Sequence, residues 1–198
     1  MLNISRPGSA FVVLFLGSSV LLGDLVGSFA DSDAQFVTLF SDAGNRIGYI
    51  AGSFLLFLAG LAFMWFAHAL SCETGTRRAP LLITGVTAGS GMIVAALAFA
   101  TVPLSIQFGS AFGDPGLQAG QAVLPQFGFA ALGLGAMLPA GIFIAFAAMT
   151  PDLLPRWLVA TSYPVAVLVA LTAFLFLPFV LFVLWVVATA VTVSRRRP

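Results

Sequence analysis

The chain reads as an all-α, polytopic bundle of transmembrane helices, and three observations carry that reading. The 198 residues are 60% hydrophobic and only 8% charged, where an ordinary soluble domain is roughly a quarter charged. A folded chain of this size leaves too much surface exposed for that composition to face water, so its solvent must be lipid. Apolar runs of about the 20 residues needed to cross a bilayer core recur from end to end, as a single transmembrane domain over residues 1–198. The few charges collect between the runs.

The runs fall at about 10–30, 47–70, 81–102, 123–149 and 157–193. The last is too long for one crossing, since a single helix there would extend about 55 Å against a core of about 30 Å. Dividing it at 174–177, with Pro178 in the first turn of the next helix where a missing N–H is harmless, gives spans at 157–174 and 178–193 and six in all. Both halves are short for a full crossing, so a kinked or partly re-entrant course remains open.

Arginine placement favours six. Short cytoplasmic loops collect basic residues, and six spans put Arg6, Arg77, Arg78, Arg156, Arg195, Arg196 and Arg197 on one side and only Arg46 on the other. Five spans would divide the eight arginines evenly. The expected topology therefore has both termini in the cytoplasm, in the cell's inner (plasma) membrane. A signal-peptide reading of the N-terminus meets an obstacle in Asp24, which follows the apolar stretch too closely, so the first run is read as a retained span.

Between the runs, residues 31–46 have the pattern of a short amphipathic helix, with Ser32 as a cap and Phe36, Leu39 and Phe40 on one face. Gly44-Asn45 would stop it before the second span starts at Ile47. Residues 103–122 form an irregular outer loop around Asp114-Pro115-Gly116. The cytoplasmic links at 71–80 and 150–156 are too short for a catalytic or nucleotide-binding domain. Small residues at helical spacing, Gly23/Gly27, Gly48/Gly52 and Gly85/Gly89, allow close helix approach within the bundle or in an oligomer. Tyr49 and Trp157 are placed as interfacial anchors.

Composition excludes several activities. No lysine is present, which removes Schiff-base chemistry, and the single cysteine, Cys72, cannot form an intrachain disulfide or a CxxC pair. A net charge of +1 offers no field for nucleic acid. No cofactor motif is found.

Three polar residues are the functional candidates. Asp24 is a carboxylate within an apolar run, a position that by default marks a pathway or a paired site. Its structural alternative is an ion pair with Arg46, the lone outer arginine, across the first hairpin. His68, the only histidine, stands near the cytoplasmic end of the second span. Alone it cannot supply bis-imidazole haem ligation or a multi-histidine metal site, and it is read as hydrogen-bonding a neighbouring helix or interfacial water. Asp24 and His68 lie toward opposite faces, so they cannot together activate a nucleophile.

Three segments carry a family likeness: Phe40-Ser41-Asp42-Ala43-Gly44-Asn45-Arg46-Ile47, Leu58-Ala59-Gly60-Leu61-Ala62-Phe63-Met64-Trp65-Phe66 and Leu153-Leu154-Pro155-Arg156-Trp157-Leu158. With them the chain resembles a family of actinobacterial multi-pass membrane proteins of about this length, described as a domain of unknown function. That resemblance implies no activity, cofactor or catalytic residue.

The favoured expectation is a non-enzymatic bundle acting as an interaction partner or accessory subunit of a membrane complex, its partners being the lipid bilayer and either further copies of itself or another membrane protein. The alternative is a small-solute or ion transporter or channel with Asp24, Arg46 and the outer loops at its entry. A membrane-embedded enzyme ranks last, because no paired carboxylates, metal ligands or nucleophile and base share a face.

Overall fold

Caps and prolines decide where the helices begin. A computed structural model of the chain describes residues 4–23, 38–74, 78–108, 123–171 and 176–195. The helices are α1 (Ser5–Gly23), α2 (Ala43–Ser71), α3 (Arg78–Phe108), α4 (Val123–Ala148), α5 (Arg156–Leu171) and α6 (Phe176–Arg195). The first four are long and apolar enough to cross a membrane; α5 and α6 are shorter apolar helices.

Boundaries differ from expectation for identifiable reasons. Helix α2 starts four residues before Ile47, because Asp42 in extended conformation accepts the Asn45 N–H at 2.9 Å and so caps the helix at Ala43. Gly44-Asn45 is therefore the opening of the span, not a stop before it. Helix α3 runs on through Pro103 to Phe108, so the outer loop begins later than residue 103. Proline is tolerated there because neighbouring helices and side chains can satisfy the carbonyl it frees. The 31–37 part of the expected amphipathic segment lies outside the described residues. Pro178 sits in the first turn of α6, where a missing N–H costs no intrahelical bond. In the short turn from α4 to α5, Asp152 has φ 58°, a left-handed conformation that Asp accepts more readily than most residues.

Neighbouring helices run antiparallel. Phe11 of α1 meets Phe63 of α2 at 5.2 Å between ring centroids, while Leu22 lies against Gly52. Helices α2 and α3 meet through Arg46 and Gln107 at one end, Gly60 and Gly89 midway, and Ala67 and Gly85 toward the other. Phe99 of α3 packs on Phe129 of α4 at 5.2 Å, and Gly141 of α4 on Ala166 and Ala170 of α5. Helix α6 returns to α1, with Phe182 on Phe11 at 5.4 Å and Ala190 beside Gly8. The starts of α1, α3 and α5 and the ends of α2, α4 and α6 thus share one end of the bundle, the arginine end. The start of α2 and the end of α3 lie at the other.

The centre is aromatic. Phe63 is surrounded by the rings of Phe11, Phe66, Phe143 and Phe182, drawn from α1, α2, α4 and α6, at centroid distances of 5.1–6.0 Å. Tilted and edge-on contacts of this kind add to what burial alone supplies. Outside, every helix presents large apolar side chains, among them Val20, Phe54, Ile83, Leu134, Val167 and Leu184.

Two seams bring backbones together. A Cβ on Gly60 would lie 2.7 Å from the Gly89 carbonyl oxygen, so both positions must stay bare. Within α4, residues Ala131–Met137 widen into a π-helical stretch, in which the Leu138 N–H reaches the Gly133 carbonyl. This stretch lays Gly135 directly on Gly91 of α3, where an added Cβ would overlap the Gly135 carbonyl group. Gly52, Gly85 and Gly89 also pack inside the chain. Gly27 lies outside the described residues.

Candidate functional site

Arg46 stands in the first turn of α2, where Asp42 has already fixed the helix start. Its guanidinium donates to the Phe40 carbonyl at 2.7 Å, the Ser41 carbonyl at 3.0 Å and Gln107 Oε1 at 3.1 Å. Three neutral acceptors thus occupy its Nε and Nη1, and the side chain ties residues 38–41 and the end of α3 to the start of α2. Asn45 adds a bond from its side-chain amide to the Leu39 carbonyl at 3.3 Å. Chemically, this is a clasp made by one cation on backbone dipoles. Asp24, the expected counter-charge, lies outside the described residues.

One turn further on, Tyr49 is fully buried, its ring edge-on to Phe40 at 5.2 Å and to Phe99 at 6.1 Å. Its hydroxyl has no hydrogen-bond partner among the described residues. An interfacial anchor would keep that hydroxyl in water, so Tyr49 is a core residue instead. The reason is topological: residues 38–41 fold over it and Phe99 closes it from α3. Trp157, by contrast, is 57% exposed at the start of α5, as an anchor is.

His68 lies at the far end of α2, 22 positions from Arg46 and so about 33 Å along the axis. The two belong to no common site. His68 is half-buried, and its Nε2 lies 3.8 Å from Cys72 Sγ. Its partner among the described residues is thus local, one turn on in the same chain. Cys72 is exposed at the helix end, where its N–H bonds back to the His68 carbonyl at 3.1 Å. Among the described residues no group of three or more His, Cys, Asp or Glu gathers that could hold a metal ion.

A further polar contact has no clear mark in the sequence. Trp185 Nε1 of α6 donates to Ser162 Oγ of α5 at 2.7 Å, and that hydroxyl donates in turn to the Leu158 carbonyl at 2.6 Å. All of this is buried. Next along α6, Thr189 is also fully buried, with no partner for its hydroxyl among the described residues. The remaining hydroxyls largely bond their own helices, as Ser53 does to Tyr49 at 2.7 Å and Thr84 to Pro80 at 2.8 Å. The His68–Cys72 pair was available from its i, i+4 spacing. The Trp185–Ser162 bond was not, because it joins two helices at positions 23 residues apart.

No family model, curated protein or solved structure matches the chain.

Proposed function

We propose that the protein is a six-span bundle of the inner (plasma) membrane, with both termini in the cytoplasm, acting without catalysis as an interaction partner or accessory subunit of a membrane complex. The observation that carries this reading is the phenylalanine cluster around Phe63, which fills the middle of the bundle with aromatic rings. A conducting or transporting chain needs polar or charged groups along a path through its centre. Here the centre is apolar and Arg46 is spent on clasping a helix start. What the bundle offers to others is its outer surface and its two ends.

The antiparallel course of the helices supports six crossings. Arg6, Arg78, Arg156 and Arg195 lie at the ends of α1, α3, α5 and α6 that meet, opposite Arg46, in keeping with a cytoplasmic arginine end. Helix α5 has 16 residues and spans about 24 Å, a deficit that local bilayer thinning and long flanking side chains can absorb.

Cys72 tests the orientation directly, since it is the one cysteine of the chain and is exposed at the arginine end. A membrane-impermeant maleimide will label it in inverted vesicles and leave it unlabelled in intact cells; labelling in intact cells reverses the orientation. Purification in mild detergent will yield a stoichiometric membrane complex, and a lone monomeric chain contradicts the subunit reading. Solute flux in proteoliposomes that Asp24→Asn abolishes in a folded protein establishes the transporter instead.

A further inference from the structure

The two ends of the bundle use their arginines in opposite ways. At one end Arg46 is half-buried and engaged by three acceptors. At the other, Arg6, Arg78, Arg156 and Arg195 are all exposed, and none has a hydrogen-bond or ion-pair partner among the described residues. These four come from four different helices, whose packing, through Gly8 on Ala190, Gly85 on Ala67 and Phe143, and Gly141 on Ala166, puts their arginine-bearing ends at one end of the bundle. The described acids there are Glu73 and Asp152, each with an interaction of its own. Four guanidinium groups therefore remain available around the rim.

Apolar side chains stand beside them. Trp157 follows Arg156 and is 57% exposed; Ile83 lies about a turn beyond Arg78, and Val191 one turn before Arg195, both exposed. A ligand that meets this rim must present a negative, planar-forked or phosphate group to arginine and an apolar body to the helix flank next to it. An acidic soluble partner satisfies only the first requirement.

We propose that the arginine end is a binding surface for anionic phospholipid, with headgroup phosphates received by Arg6, Arg78, Arg156 and Arg195 and acyl chains lying along the adjoining helix flanks. This rests on the membrane reading above. The four sites are distributed around the rim, so the surface selects for lipid charge and not for one headgroup shape. Arginine close to an anionic surface is worth about a fivefold gain in partition per residue, and the gain falls as salt screens it.

The test uses the full-length chain in vesicles of phosphatidylcholine with brominated phosphatidylglycerol, or of phosphatidylglycerol with brominated phosphatidylcholine. Quenching of tryptophan fluorescence in a Trp65→Phe background gives the relative binding constant, with Trp157 as the exposed reporter at the rim and Trp185 buried. The wild type will favour phosphatidylglycerol by about fivefold or more at low salt. The Arg6→Gln, Arg78→Gln, Arg156→Gln, Arg195→Gln variant will fall toward a ratio of one, the four-lysine counterpart will retain part of the preference, and Arg46→Gln will keep all of it. A wild-type ratio of one, or an unchanged ratio in the four-glutamine variant, overturns the proposal. Loss of the preference on adding inorganic phosphate at constant ionic strength assigns the site to free phosphate and overturns the lipid. A chain that does not float with vesicles overturns this proposal and the membrane reading together; one that floats without lipid preference overturns this proposal alone.

Discussion

Between α2 and α3 the middle of the contact is backbone against backbone at Gly60 and Gly89, with the side chains of Met64 and Ile93 packed beside it. Between α5 and α6 it includes a buried hydrogen bond from Trp185 to Ser162. In lipid, helices gain nothing by hiding apolar surface from tails that are equally apolar, so they hold together by close packing or by polar bonds. The long central pair uses the first means along a seam of small residues. The shorter pair has less length over which to collect dispersion contacts and adds the second. A close-packed seam fails steeply when atoms are added to it, whereas a polar pin fails by the worth of one bond.

That contrast can be broken from either side. The largest loss is expected for Gly91→Leu, because the atoms it would strike belong to the Gly135 backbone in the π-helical stretch and cannot rotate away. At least about 3 kcal/mol of stability should disappear, seen as loss of the folded monomer in detergent by size exclusion and circular dichroism. Gly60→Ala should cost roughly 2 kcal/mol, since its Cβ meets the Gly89 oxygen at 2.7 Å and α2 and α3 must move apart. If Gly60→Ala unfolds at the wild-type temperature, close backbone approach is not what holds this pair.

Ser162→Ala should cost about 1 kcal/mol, the usual scale for an interhelical hydrogen bond in a membrane protein. A double-mutant cycle with Trp185→Phe isolates the bond, and a coupling energy of zero would show that packing alone joins α5 to α6. The smallest effect is expected for Tyr49→Phe. It removes a hydroxyl that is buried without a partner, so thermal unfolding should be unchanged or move slightly upward. A clear destabilisation would mean that the hydroxyl is satisfied in the membrane-embedded protein.

Much of the fold could be read from the chain because lipid imposes simple demands. Each apolar run holds a helix, and residues 157–193 hold parts of two described ones, α5 as far as Leu171 and α6 from Phe176. Ends were harder, because they depend on single side chains: Asp42 starts α2 early, and Pro103 fails to stop α3. The π-helical stretch had no readable signal; it coincides with the close approach of Gly91 from another helix. Arg46 was conspicuous as the lone outer arginine, yet its acceptors are two carbonyls and a glutamine 61 residues away, which charge counting cannot identify. Tyr49 looked like an anchor because amphipathic residues near helix ends usually are; its burial depends on Phe40 and Phe99 arriving from elsewhere.

The return of α6 to α1 bears on the order in which the protein assembles. Helix α2 can pair with α1 as soon as both have left the ribosome, and Phe63 then meets Phe11. Phe182, which touches both of those rings, belongs to α6, which is synthesised after α1 to α5. Until then the aromatic cluster is missing one of its members, and Phe11 and Phe63 each keep a side open to lipid or to other chains. Assembly intermediates should therefore be most vulnerable to mispairing and to membrane proteases before α6 enters the membrane, and the docking of α6 on α1 and α2 becomes the step that commits the bundle to its final packing.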